Sequence, residues 1–203
     1  MAEVNLSKVQ LSKAAPTVSL SKGAGAAGRM RINLNWTQKV RRGLFGGRGD
    51  AVDLDLGCLW ELTDGRKGVV QALGNAFGSL DAPPYAYLDG DDRSGSSEGG
   101  ENLTINLDHL GEIRRILVFT YIYEGAPNWA AANGVVTLYP QGATPIEIRL
   151  DEVSSSARTC AIAMLTAQGS SLHIQREVRY VNGTQSELDR AYGWGMNWTA
   201  GRK

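Results

Sequence analysis

What most constrains this chain is a succession of short stretches in which apolar and polar residues alternate, each ended by a turn cluster rich in glycine or proline. A period of two places every second side chain on one face of an extended strand, which a helix cannot do. Segments of this kind fall at 30–36, 52–62, 68–73, 85–88, 102–107, 114–123, 134–139, 145–150, 157–165 and 171–181. Thr63-Asp64-Gly65, Pro140-Gln141-Gly142 and Gln168-Gly169 punctuate them. Many short strands with such turns predict an all-β sandwich or barrel, not a βαβ fold.

Only residues 184–192 read as helix, with Thr184 or Ser186 as cap and Glu187 in the first turn. The following Gly-Trp-Gly-Met-Asn-Trp is too glycine-rich to continue it, and its two tryptophans are expected to pack the tail onto the domain. At the other end, Val4-Asn5-Leu6-Ser7-Lys8, Val9-Gln10-Leu11-Ser12-Lys13 and Val18-Ser19-Leu20-Ser21-Lys22 repeat the form V-x-L-S-K. The expected organisation is a flexible arm over residues 1–28, able to add a strand to a sheet edge of its own or of a partner, and a sandwich domain over 29–203.

Lys plus Arg equals Asp plus Glu, at 21 each, so no bulk charge recruits the chain to nucleic acid or an anionic membrane. No apolar run approaches the length of a membrane helix. The start lacks the basic and apolar regions of a secretory signal, and the expected location is the cytoplasm. There Cys58 and Cys160 are expected as reduced core residues rather than a disulfide. His109 and His173 stand far apart, without the spacing of a zinc site or a Cys-His nucleophile. The basic run "KVRRGLFGGR" at 39–48 could grip phosphates but stands alone, and reads as a solvated hairpin loop or docking patch.

The chemistry concentrates in two places. In Val52-Asp53-Leu54-Asp55-Leu56-Gly57-Cys58-Leu59-Trp60, the even-numbered residues share the core face and Asp53 and Asp55 project together from the other. Aspartate is a poor strand residue, and two on one face repel unless something lies between them. The second place is "YLDGDDRSGSSEGGENL", residues 87–103, with Asp89, Asp91, Asp92, Glu98 and Glu101. Calcium takes six to eight oxygen ligands in flexible geometry, which such a loop can supply. The register is not that of an EF-hand: counting from Asp89, the sixth position is Ser94 where glycine is needed and the twelfth is Gly100 where a glutamate is needed. Nor do five acids in a glycine-rich loop define the acid and nucleophile of a glycosidase.

Taken together, these motifs resemble the TerD superfamily of tellurium-resistance stress proteins, and among them the TerA-like branch. The resemblance rests on Ile32-Asn33-Leu34-Asn35-Trp36, Val52-Asp53-Leu54-Asp55-Leu56, "GRKGVVQALGN" (65–75), "LDGDDRSG" (88–95) with "GENL" (100–103), "RRILVFTYIYEG" (114–125) and "AYGWGMNW", and it spans about residues 30–198. It implies a calcium-binding β-sandwich that is not an enzyme, linked to tellurite resistance and to phage and colicin tolerance. It also implies work beside other Ter-family proteins, including an integral membrane partner that would hold it at the inner membrane, with no nucleic acid and no small-molecule substrate. By position, the metal ligands would come from Asp53, Asp55, Asp89, Asp91, Asp92, Glu98 and Glu101. Asn102 stands where the family usually has a carboxylate, so one calcium ion is expected and a second is disfavoured. The alternative is a metal-independent interaction module acting through the arm and the basic loop.

Overall fold

Strict alternation buries one face of each strand, and two such faces can leave water only by closing on each other. The computed structural model, which describes residues 8–37, 53–89, 100–124, 129–151 and 156–199, has this architecture: two sheets packed face to face. In chain order the strands are β1 (Val9–Leu11), β2 (Thr17–Leu20), β3 (Arg29–Asn35), β4 (Asp53–Leu62), β5 (Lys67–Gln71), β6 (Gly78–Ser79), β7 (Ala86–Leu88), β8 (Glu101–Asn106), β9 (Ile113–Glu124), β10 (Val135–Tyr139), β11 (Ile146–Arg149), β12 (Thr159–Gln168) and β13 (Ser171–Val181). One sheet runs β1-β11-β10-β3-β8-β7-β6 and the other β2-β13-β12-β9-β4-β5. Every pairing is antiparallel except that of β1 with β11.

Between the sheets lies the main core. Met30, Ile32 and Leu34 of β3, Leu103 and Ile105 of β8, and Leu54, Leu56 and Cys58 of β4 are each fully buried in it. A second, smaller core covers the outer face of the β4-containing sheet. There Leu59, Leu117, Phe119, Tyr121 and Ala161 meet Leu188 and Trp194. Leu188 belongs to α2 (Gln185–Tyr192); the other helix, α1 (Trp129–Ala132), is a single turn pinned where Trp129 Nε1 donates to the Ala157 carbonyl at 2.7 Å. The second core explains why β9 runs apolar over Ile116–Phe119 and β12 over Cys160–Leu165: a strand buried on both faces has no reason to alternate.

α2 begins as its sequence requires. The Glu187 carboxylate accepts from the Thr184 amide at 3.0 Å and from its hydroxyl, closing a capping box, and Gly193 ends the helix in the left-handed region at φ 63°. The tail then folds back on one buried acid: Asp189, 3% exposed, accepts from the amides of Gly195 and Met196 and from Trp198 Nε1 at 2.9–3.1 Å.

In its described part the N-terminal segment adds strands to the chain's own sheet edges, the second of the two expectations for it. β1 closes one edge of the first sheet against β11, and β2 closes one edge of the second against β13. Leu11 and Leu20 reach the main core, and that burial holds both strands in place. No helix among the described residues is long and apolar enough to cross a membrane.

Candidate metal centre

The described members of the expected ligand set, Asp53, Asp55, Asp89 and Glu101, come from one end of the sandwich. β4 opens with Asp53 and pairs it with the last residue of β9; β3 ends beside the start of β8, with Leu34 opposite Glu101. Asp89 follows β7, and its amide donates to the Asn102 carbonyl at 3.1 Å. The two ends of the acidic loop, Asp89 and Glu101, therefore sit beside each other, next to the start of β4.

A hydrogen bond from β4 to β8 marks this end. β5 runs out at Gln71, opposite Gly57, so the Leu56 amide, which points to the β5 side, has no strand to meet. The Glu101 carboxylate of the facing sheet takes that place, its Oε2 accepting from the Leu56 amide. Glu101 thus joins the two sheets at the end where the acids gather.

Burial corrects the picture of Asp53 and Asp55 on an open outer face. They do lie opposite Leu54 and Leu56, but that face carries the second core, and Asp53 is 9% and Asp55 0% exposed. Glu101 is 2% exposed, whereas Asp89 is exposed. Buried carboxylates require hydrogen bonds or nearby positive charge to compensate their lost hydration, so three at one end of a sandwich make it chemically distinctive. Among the described residues no group of three or more His, Cys, Asp or Glu side chains is placed to hold a metal ion by itself. Asp91, Asp92 and Glu98, the middle of the expected ligand set, lie outside the described residues, as does the basic run at 39–48.

Elsewhere lie the two cysteines and the two histidines. Cys58 and Cys160 are buried free thiols, and burial pushes the Cys58 thiol up to about 12, far from a reactive thiolate. His109 stacks on Tyr85 with ring centroids 4.0 Å apart and faces Glu112 at 2.8 Å, while His173 lies 3.1 Å from the Ser19 hydroxyl. Spacing gave no hint of two buried acids that organise the opposite end and the tail. Glu61 is held by Arg114 at 2.9 Å and Arg115 at 2.6 Å, and Asp189 gathers the tail. Both sit on apolar faces, and an isolated acid on an otherwise apolar face was the one available signal.

Fold and site together define a class: a two-sheet β-sandwich whose strand ends bring buried carboxylates to the roots of an acidic loop. Solved structures share the fold. A crystallised protein of unknown function matches with a TM-score of 0.62 at 16% identity, covering 83% of this chain and 98% of its own. A homologue of the telluride resistance protein TerD from Streptomyces coelicolor matches with a TM-score of 0.57 at 19% identity, covering 80% and 95%. No protein-family model matches the chain. The tellurium resistance protein TerA of Alcaligenes sp. is 47% identical over 205 residues, which take in 99% of this chain and 60% of that protein. The resemblance read from the motifs therefore holds along nearly the whole chain, which is TerA-like in sequence and TerD-like in fold, and which spans about three fifths of the length of the relative it matches.

Proposed function

We propose that this chain is a calcium-binding, non-enzymatic domain of the tellurite-resistance type. It serves as a stress-response scaffold or sensor beside other Ter-family proteins, including an integral membrane partner. The observation that carries the reading is the burial of Asp53 and Asp55 at the end where Asp89 and Glu101 root the acidic loop. Asp91, Asp92 and Glu98 would complete an oxygen set of the kind calcium takes. The ion would add positive charge beside these carboxylates, and loop and β4 would then be held as one surface for a partner. The similarity to a tellurium resistance protein supports the biological setting, and the two cysteines, far apart in the sequence, offer no cluster to bind or reduce tellurite, which favours an indirect role.

Calcium that binds the folded chain alone must stabilise it by mass action. After chelator treatment, millimolar calcium should raise the melting temperature, while magnesium, with its stricter octahedral demand, should do so far less. Asp53→Asn and Asp91→Asn should each abolish most of the calcium shift. Identical melting curves with and without calcium would overturn the reading and leave the metal-independent interaction module in its place.

A further inference from the structure

The repeat V-x-L-S-K has a structural meaning in the two copies that the structure describes. In each, V-x-L is an edge strand and the Ser begins the exit turn. Val9-Gln10-Leu11 is β1, after which Ser12 and Ala15 bond each other; Val18-Ser19-Leu20 falls in β2, after which the Ser21 carbonyl accepts from Ala24 and Ala26. One copy closes the first sheet and the next closes the second. A third copy, residues 4–8, directly precedes them and lies, apart from Lys8, outside the described residues.

We propose that this first copy is also an edge strand, donated in trans to the β5 edge of a second copy of the chain. β5 is the last strand of its sheet. Arg66 and Val70 turn their backbones toward β4, and the Gln71 amide turns away to the Ala76 carbonyl. By the period of two, Lys67 and Val69 direct their amides and carbonyls outward, and among the described residues neither has a backbone partner on that side. The open stretch is as short as β1 and β2, the length that the repeat supplies.

Beside this edge runs a groove of about 380 Å³ lined by Val69, Met196 and Trp198 together with Lys67. Val4 and Leu6, two residues apart, would share one face of an added strand and fit an apolar wall. Strand addition within one chain is excluded by reach. β1 and β2 are joined by five residues and cap the same side of the sandwich, whereas β5 lies at the far edge of a six-stranded sheet. Five inter-strand gaps amount to roughly 24 Å, and four residues extend at most about 14 Å. Because donor and acceptor are different surfaces, the contact is heterologous and need not close into a dimer.

Complementation of two variants tests this. A chain lacking residues 2–7 keeps the acceptor edge without the donor. Val69→Pro keeps the donor but loses the outward amide, a position where an edge strand tolerates proline. The unaltered chain should self-associate with rising concentration in analytical ultracentrifugation, and each variant alone should stay monomeric. Mixed, they should form a one-to-one complex. Leu6→Asp should behave as the deletion does and stands in for it; melting curves within a few degrees of the parent show that the folds are intact. A parent that is monomeric throughout, or folded variants that do not combine, would overturn the proposal.

Discussion

At the scale of single residues, the fold rests on a few buried acids whose positions in the sequence look unremarkable. Glu61 is the clearest case. Burial alone would raise its pKa, but the hydrogen bond from Arg115 and the charges of Arg115, Arg114 and Lys67 outweigh it and hold the carboxyl below its ordinary value. A lowered folded-state pKa contributes stability above the unfolded value and loses it as pH falls through the folded one. Glu61→Gln should therefore cost about 2 kcal/mol at neutral pH, and the gap to the parent should close on acidification, as read from denaturant melts across pH. Asp189 serves the tail as a shared hydrogen-bond acceptor. Asp189→Ala leaves the amides of Gly195 and Met196 and the Trp198 indole without their acceptor, a loss of about 1–3 kcal/mol for each group left buried. The expected sign is a red-shifted tryptophan emission before global unfolding.

At the scale of elements, α2 is the piece whose stability is most local. Its cap holds the Glu187 pKa down at about 2, first through the Thr184 amide, then through the hydroxyls of Ser186 and Thr184, with Arg190 adding to them. Glu187→Gln should loosen the helix and, with it, the second core, where Leu188 and Trp194 cover β4, β9 and β12. Protection of α2 amides from hydrogen exchange should fall at neutral pH, while the parent should lose the same protection only as pH falls from the ordinary carboxylate range toward 2. The strand set was legible because alternation names both the strand and its buried face. Each of the ten expected strands is present with ends moved by at most three residues, as for 157–165, which becomes Thr159–Gln168, while 171–181 is matched at both ends. The two-residue β6 and the single-turn α1 escaped because neither is long enough to display a period.

At the scale of the whole molecule, the β-sandwich and its one C-terminal helix are what the pattern of alternation and turns called for. Of the candidate site, strand register puts Asp53 and Asp55 on one face and composition singles out the acids from Asp89 to Glu101. Their surroundings were not legible in the sequence. If calcium joins the acidic loop to β4, its effect should be greatest at that end of the sandwich. Calcium added after chelator treatment should slow hydrogen exchange around Leu56 and Glu101 while leaving the Thr63 to Arg66 turn at the opposite end unchanged; uniform slowing along the chain would argue against a local site.

What the sequence determined by itself is everything set by neighbours along the chain. That comprises the period of two, the turns, the cap at Thr184, the repeats, and the supply of carboxylates in two segments. What only the tertiary structure decided depends on which surfaces meet. Asp53 and Asp55 are buried on the side of their sheet that also carries the second core, closed by Leu188 and Trp194. Glu101 reaches Leu56 because β5 ends one residue too early to serve it. Two V-x-L-S-K copies became edge strands because each sheet had an edge left to close. Burial and pairing arise between segments distant in sequence, and no local pattern encodes them.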